Sequence, residues 1–279
     1  MFNVSCTHGV KKDEMIRYPI FRSSSFFDKI AIKVVHLPFR CIVCNRFYRY
    51  KVTDKNLRET CYCRSCNSSN RQRQISYVLI KSLLKKNPVF SSLKGIAGKA
   101  DISIYNTESK GAVHDILCKM KNYTCSEYFG GNYASGDNVN GILHQDLQSL
   151  SFKDNRFDVV LSTEVFEHIP DAYKAFKEVH RVLKSGGRHI FTVPFDARVF
   201  RDSVKALIDE SGQIKYLAEP EYHTDILRPG QGILVYRIFS LEMMVKLSEQ
   251  GFSTNMYHLY NPFLGILGNN AIVFESIKI

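Results

Sequence analysis

Two Cys-x-x-Cys pairs are the most specific functional motif in this sequence, and they indicate metal binding. Cys41 and Cys44 form the first pair, and Cys63 and Cys66 form the second. Each turn directs two thiolates to one metal ion, and the interval between the pairs is typical of a four-sulfur zinc site. Cys61 competes with Cys63 for the third position, but only Cys63 gives symmetric pairs. Without a secretory signal, disulfides are not expected, so the pattern predicts one structural Zn2+.

A strand is predicted between the two pairs, which makes residues 41–69 a zinc ribbon. Residues 46–51 alternate basic and aromatic side chains. In one interpretation the aromatic rings stack on nucleobases beside phosphate contacts. In the other the strand is purely structural, with Phe47 turned inward over the metal and Arg46 and Tyr48 on the opposite face. The sequence leaves both interpretations open.

Basic residues are concentrated in the first 100 positions. That part holds 20 Lys and Arg against 5 Asp and Glu, whereas the remaining positions hold 18 and 22. Such an excess of positive charge attracts RNA, anionic lipid head groups or phosphorylated glycan carriers. The alternative is a solvated basic surface that has no partner. The contrast between the two parts indicates units with different roles.

The overall composition is that of a globular protein. Hydrophobic residues make up 44% of the chain and charged residues 23%, which excludes the disordered, collagen-like and coiled-coil classes. No apolar run reaches the roughly 18 residues that read as a membrane-spanning helix. No apolar segment of a signal peptide follows Lys11 and Lys12. We therefore expect a cytoplasmic protein without a transmembrane segment.

From residue 70 onward, helical and strand patterns alternate along the chain. This alternation implies a mostly parallel sheet with helices on both faces. Residues 196–239 are too long a segment for a plain connection and are predicted to form a lid. The predicted strands cover 101–105, 122–128, 141–144, 157–162, 189–193, 254–260 and 271–277. The predicted helices cover 75–83, 112–120, the interval from Pro170 to Gly186 and the interval from Ser240 to Gly251.

Polar residues follow four successive strands, at the edge where open α/β sheets bind their ligands. Glu127 ends the second strand, and a carboxylate there can accept hydrogen bonds from both hydroxyls of a ribose. Asp146 follows the third strand and can accept a hydrogen bond from the amino group of adenine. The other polar residues at these ends are Asn106, Thr107 and Glu108 after the first strand, and Ser162, Thr163 and Glu164 after the fourth.

Several stretches of the chain resemble a known enzyme family. Residues 155–171, 175–187 and 189–194 are similar to the fourth motif, the following helix and turn, and the fifth strand of class I S-adenosylmethionine-dependent methyltransferases of the methyltransferase-11 type. The ribbon, which runs into Asn70-Arg-Gln-Arg73, and the later Glu221-Tyr-His223 resemble a bacterial subgroup often found among surface-glycan biosynthesis functions.

The resemblance implies a fold and a cofactor. The fold is a Rossmann-like α/β domain over residues 70–279 with a seven-stranded, mostly parallel sheet, preceded by the ribbon and by an N-terminal extension at 1–40. The cofactor is S-adenosylmethionine, and the residues expected to bind it are Tyr105, Asn106, Thr107, Glu108, Glu127, Asp146, Leu147, Ser162, Thr163 and Glu164.

The first strand departs from the family pattern. The family has a Gly-x-Gly loop after this strand, where the backbone approaches the methionine end of the cofactor. This chain has Tyr105-Asn-Thr-Glu-Ser-Lys-Gly111 instead. The departure keeps open a different class of function, a non-catalytic zinc-ribbon interaction protein whose methyltransferase domain has decayed.

Three side chains are candidates for the catalytic step. Methyl transfer depends mainly on alignment of nucleophile, methyl group and sulfur, and a base is needed only if the acceptor loses its proton early. The candidate catalytic residues are Glu167, the adjacent His168 and His223, which lies in the lid over the acceptor. The alternative roles are a structural hydrogen bond for His168 and an ordinary lid position for His223.

The motifs that the chain lacks indicate which kind of atom in the acceptor is methylated. The fourth strand does not end in the Asn- or Asp-Pro-Pro-aromatic motif of exocyclic-amine methyltransferases, and no Pro-Cys motif for carbon-5 methylation occurs. An oxygen acceptor is therefore favoured, in a sugar or a small glycan-biosynthesis intermediate. Peripheral membrane contact would fit that acceptor. The alternative is an RNA methyltransferase whose ribbon clamps RNA through side chains such as Arg49 and Arg73.

Overall fold

A seven-stranded sheet forms the centre of the protein. The computed structural model describes residues 4–8, 38–49, 57–85, 87–98, 101–224, 230, 232–267 and 272–279. The strands of the sheet are β1 (Val4–His8), β2 (Ile104–Asn106), β3 (Tyr123–Cys125), β4 (Phe157–Thr163), β5 (Leu183–Thr192), β6 (Phe252–Leu259) and β7 (Ile272–Lys278). Their order across the sheet is β1-β6-β7-β5-β4-β2-β3.

The sheet is mixed, so the prediction of a mostly parallel sheet is wrong. Strands β3, β2, β4 and β5 run parallel to one another. Strands β5, β7, β6 and β1 pair in antiparallel fashion. The reason lies in β6 and β7, which follow each other directly without the long crossover connection that a parallel pair needs.

The third predicted strand, at 141–144, does not join the sheet. Residues Ile142–Leu143 pair instead with Asn138–Val139 in a separate hairpin, and a single parallel bridge from His144 to Glu127 connects it to the end of β3. Asn140 and Gly141 both have positive φ, as a two-residue Asn-Gly hairpin turn requires. Six sheet strands therefore come from the predicted methyltransferase domain, and the seventh is the N-terminal β1.

The helices begin at residues whose side chains cap them. The helices are α1 (Asn70–Leu84), α2 (Leu93–Ala97), α3 (His114–Leu117), α4 (Ala172–Val182) and α5 (Leu241–Glu249). Helix α1 starts earlier than predicted because Ser69 and Gln72 form a reciprocal capping box. Asp171 caps α4 and Ser240 caps α5, so both helices begin where the sequence predicted a helix to start.

Apolar residues pack on both faces of the sheet. Along β4, Val159 and Leu161 belong to one buried cluster and Val160 to the other, as the alternation of a strand requires. The first cluster includes Ile75 and Leu79 of α1 together with the ribbon, and the second includes α4 and α5. The ribbon thus shares its core with the helical layer on one face of the sheet.

The ribbon strand has the opposite orientation from the one predicted. Residues Phe47–Arg49 pair with Pro38–Arg40, which precede the first cysteine pair. Tyr48 packs against Phe39, whereas Phe47 is 72% exposed. The inward orientation of Phe47 is therefore wrong, because Phe39 and Tyr48 supply the apolar contact that Phe47 was expected to make.

Short strands and turns complete the structure around the sheet. Residues in the predicted lid form hairpins at Ala206–Ile208 with Ile214–Tyr216 and at Tyr222–Thr224 with Gly232–Leu234. Phe195–Asp196, Arg237–Ser240 and Ser203–Val204 form a three-stranded sheet. The 3-10 helices are Leu57–Glu59, Pro88–Phe90, Phe166–His168 and Pro262–Leu264. Among the described residues, no helix is long and apolar enough to cross a membrane.

Candidate active site

The four predicted zinc ligands lie together. The Sγ atoms of Cys41, Cys44, Cys63 and Cys66 are all within 4.8 Å of one another. Cys41 and Cys66 are 3.7 Å apart at Sγ, and so are Cys44 and Cys63. A tetrahedral zinc with Zn–S bonds near 2.3 Å has sulfur–sulfur edges of about 3.8 Å. The donor set therefore fits zinc, and Cys61 lies outside it.

The two cysteine turns have the same backbone geometry. Asn45 and Asn67 follow the second cysteine of each turn and have positive φ, which asparagine tolerates better than most residues. Their N–H groups donate to the carbonyls of Cys41 and Cys63, each at 2.8 Å. Each pair is therefore held in a tight turn by its own backbone.

Side-chain hydrogen bonds fix the conformation of the loop after β2, which begins at residue 107 and has no Gly-x-Gly turn. The Asn106 amide donates to the carbonyl of Glu108 at 2.9 Å. The N–H and the hydroxyl of Ser109 both donate to Oε1 of Glu127, at 2.7 and 2.8 Å. The Glu127 carboxylate after β3 thus fixes the loop that stands in the place of the Gly-x-Gly turn expected from the resemblance.

The same loop is tied to β4. The N–H of Thr107 donates to the carbonyl of Leu161 at 3.0 Å. The hydroxyl of Thr163 donates to the Glu108 carboxylate. Burial raises the pKa of Glu108, and the hydrogen bond from Thr163 opposes this change. The polar ends of β2 and β4 therefore form one connected surface.

Two of the predicted cofactor ligands point into the core. The Tyr105 hydroxyl is buried and lies 2.7 Å from the Ser126 hydroxyl. The Ser162 hydroxyl is buried 2.8 Å from Nε2 of His189. Burial lowers the pKa of His189 to about 3, so the imidazole is neutral. Both hydroxyls are engaged inside the protein.

Asp146, the residue predicted to contact adenine, lies on a loop and forms hydrogen bonds within it. The Asp146 carboxylate accepts a hydrogen bond from the N–H of Gln148 at 2.8 Å, and the N–H of Asp146 donates to the Ser135 hydroxyl at 2.8 Å. Leu147 is buried beside it. Asp146 itself is only partly buried, so a ligand at the strand ends could reach its carboxylate.

Three predicted catalytic side chains converge although they come from separate segments. Glu167 and His168 lie in the 3-10 helix after β4, and His223 comes from the lid hairpin. Nε2 of His168 and Nδ1 of His223 each lie 3.7 Å from Oε1 of Glu167. The rings of the two histidines are 5.0 Å apart, edge to face. Burial raises the pKa of Glu167 well above its ordinary value, and the charge of Glu164 adds to this effect.

Arg58 and Arg71 belong to this site, although no pattern in the sequence gave them a role there. Arg58 forms an ion pair with Glu164 at the end of β4. Nε of Arg71 lies 2.6 Å from Glu59, and Arg71 also interacts electrostatically with Glu164 and with Glu167. The resemblance of the Asn70-Arg-Gln-Arg73 stretch to a bacterial subgroup drew attention to its two arginines. It did not indicate which of them faces the site.

The neighbouring Arg73 has a different environment. Its side chain is fully buried and donates to the carbonyls of Ser68, Cys61 and Gly265 at 2.5, 2.8 and 2.9 Å. A side chain in this position cannot contact RNA, whereas Arg49 is exposed. Arg73 therefore joins the ribbon to α1 and to the turn after β6.

Comparison with known proteins finds a family match for one segment of the chain, which includes the ends of β3 and β4. Residues 115–191 match the family described as a methyltransferase domain. The chain contains an S-adenosylmethionine-dependent methyltransferase domain. The matched part of this domain contains Glu127, Asp146, Glu167 and His168, whereas the four-cysteine ribbon and the lid lie outside it.

Individual relatives match parts of the chain. Sarcosine/dimethylglycine N-methyltransferase from Halorhodospira halochloris is 26% identical over 130 residues, which are 44% of this chain and 47% of that protein. Demethylmenaquinone methyltransferase from Staphylococcus aureus (strain MRSA252) is 44% identical over 110 residues, 38% of this chain and 45% of that protein. The chain spans about half the length of the curated relatives it matches.

A solved structure is similar over a longer range. The S-adenosylmethionine-dependent methyltransferase from Mesorhizobium loti aligns with 63% of this chain and 91% of its own chain. The TM-score is 0.39, and the sequence identity is 17%.

Proposed function

We propose that the chain transfers the methyl group of S-adenosylmethionine to an oxygen acceptor, a hydroxyl of a sugar or of a small glycan-biosynthesis intermediate. The observation that carries this proposal is the convergence of Glu167, His168 and His223 beside the strand ends of a methyltransferase domain. The names of the relatives include an N-methyltransferase and quinone and sterol methyltransferases, so similarity alone does not select an acceptor.

The cofactor would lie across the ends of β2 and β3. Glu127 would accept hydrogen bonds from the ribose hydroxyls while it also holds the Ser109 loop. Asp146 would accept one from the adenine amino group. Because Tyr105 and Ser162 are engaged inside the protein, they would support the binding surface and not contact the cofactor directly.

The reaction is an in-line displacement. The bond between the methyl carbon and the sulfonium sulfur breaks, and its electron pair stays on sulfur. A lone pair of the acceptor oxygen forms the new carbon–oxygen bond, and the hydroxyl proton must leave by the time this bond is complete. The cluster of Glu167, His168 and His223 is the group of described residues placed to assist that loss.

Zinc would have a structural role in this enzyme. The four-cysteine cluster supports one Zn2+ without an open coordination position, as in closed structural sites. Ser69, the last residue of the ribbon, caps α1, and the ribbon shares a buried core with that helix. Zinc would therefore stabilise the helix that carries Arg71.

A second candidate function is methylation of RNA, and one observation favours it. Phe47 is 72% exposed between the exposed Arg46 and Arg49, an arrangement that could stack a base beside phosphate contacts. The ribbon would then be a clamp for RNA. The absence of the amine-methylating motif at the fourth strand end, noted above, argues for the oxygen acceptor.

Two measurements test the proposal. Titration calorimetry with S-adenosylmethionine should show binding, and transfer of a radiolabelled methyl group should be detected with nucleotide sugars or lipid-linked glycans. Total RNA and small amines serve as competing acceptors. Cofactor binding without transfer to any hydroxyl acceptor, together with transfer to RNA, would contradict the glycan proposal. Failure to bind the cofactor at all would favour a non-catalytic protein.

A further inference from the structure

The buried carboxylate of Glu167 has an unusual environment. Its side chain is 0% exposed, yet neither of its oxygens accepts a hydrogen bond from any group in the described part of the chain. Burying a carboxylate without hydrogen bonds or a close positive charge is costly. A buried carboxylate without such partners therefore indicates that a ligand binds to it.

The geometry around Glu167 suits a set of metal ligands. The Glu167 carboxylate forms no direct hydrogen bond with either histidine, which would need heavy-atom distances of about 2.6–3.2 Å. Here both imidazole nitrogens stand 3.7 Å from the same oxygen, and one ligand atom from each residue lies within 4.8 Å of the others. Two imidazoles and a carboxylate that face a common point can coordinate one ion after small side-chain rotations.

The outer partners of both histidines follow the pattern of metal ligands. Nδ1 of His168 lies 2.8 Å from the carbonyl of Leu234, so Nδ1 carries a proton and Nε2 is the ring nitrogen nearest the Glu167 carboxylate. Nε2 of His223 faces the Glu221 carboxylate at 3.6 Å, which leaves Nδ1 toward Glu167. A metal-binding histidine almost always directs its second ring nitrogen to such a carbonyl or carboxylate.

The surrounding charges also suit a cation. Around the cluster, the carboxylates outnumber the basic side chains: Glu59, Glu108, Glu164, Glu167 and Glu221 against Arg58, Arg71 and Lys205. The arginines pair with Glu59 and Glu164, and Lys205 pairs with Glu221. Glu108 and Glu167 are thus the two carboxylates of this group without an ion-pair partner among the described Lys and Arg side chains. Glu108 accepts a hydrogen bond from Thr163, whereas the side-chain oxygens of Glu167 accept none from the described residues.

We infer that Glu167, His168 and His223 bind a divalent transition-metal ion at the acceptor end of the methyltransferase site. Two imidazoles and one carboxylate form the ligand set of catalytic zinc and non-haem iron sites, which keep a position open for substrate. Magnesium, which prefers oxygen ligands, fits poorly. His223 is the most exposed of the three ligands, so the open position would face the lid.

This inference deepens the proposed function and rests on it for the role of the metal. The acceptor hydroxyl would occupy the open position, where the metal lowers its pKa. Its proton would leave to solvent water, and the oxygen would keep the electron pair and attack the methyl carbon. The sulfur would leave as a neutral thioether. The two histidines would then act as ligands and not as bases.

Zinc titration of the full chain tests the site without any acceptor. Protein purified with its ribbon zinc and passed over a chelating resin should contain one zinc per chain. Calorimetry with Zn2+ should then show a second equivalent, and Co2+ should give visible d–d absorption. His168→Ala and His223→Ala should abolish the second equivalent. Glu221→Gln, which removes only an outer partner, should weaken it by about 10–100-fold.

Controls separate this site from other binding and from loss of the fold. His180→Ala, a histidine on α4 away from the cluster, should keep the second equivalent. All variants should keep the ribbon zinc and bind S-adenosylmethionine as the wild type does. A stoichiometry that stays at one zinc, or a second equivalent that survives the double variant His168→Ala/His223→Ala, would overturn the site.

The role of the metal has its own test. If hydroxyl methylation proceeds at the full rate after the second metal is removed, the catalytic role is wrong although the proposed function stands. If the second zinc binds but no hydroxyl is methylated under any condition, the metal site stands and the proposed function fails.

Discussion

Arg58 and Glu164 form an ion pair that joins the segment between the cysteine pairs to the end of β4. Both side chains are largely buried, and the two residues are 106 positions apart in the sequence. Glu164 also has positive φ, a conformation that is uncommon outside glycine and asparagine. The ion pair therefore connects the ribbon directly to the end of β4.

Removal of this ion pair should destabilise the protein. We expect Arg58→Ala to lower the free energy of unfolding by about 1–3 kcal/mol, between the values for exposed and buried pairs. Urea denaturation measures this change. Arg64→Ala is the matched control because Arg64 is exposed in the second cysteine turn, and it should change stability by less than about 0.5 kcal/mol. Equal effects of the two variants would argue against a stabilising ion pair.

Loss of one cysteine of the cluster should remove the zinc and disturb the site. Metal binding and folding are coupled in such ribbons, and the ribbon carries Arg58 and precedes α1. Cys44→Ala should therefore lose its zinc and bind S-adenosylmethionine more weakly, as metal analysis and calorimetry would show. Cys118→Ala removes an exposed thiol and should change neither quantity. A Cys44→Ala protein with full zinc content would exclude the four-cysteine site.

Because Glu127 contacts the Ser109 loop, substitutions of the two residues should weaken cofactor binding to different extents. Glu127→Ala should weaken cofactor binding by about 1.5–3 kcal/mol, because it removes a charge-assisted hydrogen bond to the ribose and frees the loop. Ser109→Ala removes only the hydroxyl contact and keeps the bond from the backbone N–H, so its effect should be smaller. Calorimetry would contradict the assignment if the two variants bound the cofactor equally well.

Patterns within short segments predicted much of the fold. The alternation of helical and strand patterns placed strand β4 and the helices α4 and α5 close to where they lie. The hairpin at 138–143 was missed because positive φ at both Asn140 and Gly141 turns the chain back on itself before it can reach the sheet. Turn conformation here overrode a pattern that was read as a sheet strand.

The site was only partly predictable for a different physical reason. The candidate residues Glu167, His168 and His223 were identified by their types and by the resemblance to a family. Arg58 and the buried Arg73 were not assigned to their places, because an arginine in a basic segment looks like a solvated surface residue. Their partners, Glu164 and Gly265, lie far away in the sequence, and only the folded chain brings them together.

The burial of Arg73 leads to a stability prediction. Arg73→Ala would leave the carbonyls of Ser68, Cys61 and Gly265 without their donor and would create a cavity. We expect a loss of about 3–5 kcal/mol in the free energy of unfolding, measured with urea. Arg49→Ala, at an exposed position of the same basic region, should change it by less than about 0.5 kcal/mol.

Buried His189 should make the protein sensitive to acid. Its pKa is lowered to about 3 in the folded protein because the ring is buried, whereas an unfolded histidine titrates near 6.5. Between these values the unfolded chain binds the extra proton, so stability falls as the pH decreases from about 6.5 toward 3. At pH 5 the loss relative to pH 8 should be about 2 kcal/mol. His189→Gln should reduce this pH dependence in urea denaturation, and an unchanged dependence would show that other groups cause it.

The partner of the basic ribbon surface can be tested through its salt dependence. If Arg46, Phe47 and Arg49 bind RNA, several phosphates must release counterions, and affinity should fall steeply with salt. About five contacts to a single strand would give a log–log slope near −3.5. If the acceptor is a glycan intermediate, we expect weak RNA binding without structural preference. Filter binding at about 50 and 200 mM salt measures the slope.

Two substitutions separate stacking from charge on this surface. Arg49→Ala should lower the magnitude of the slope by about 0.7 if that side chain contacts a phosphate of a single strand. Phe47→Ala should weaken binding by about 1–3 kcal/mol at every salt concentration if the exposed ring stacks on a base. Both side chains are exposed, so neither change should unfold the ribbon. Submicromolar, structure-selective RNA binding that both variants abolish would replace the glycan proposal with the RNA clamp.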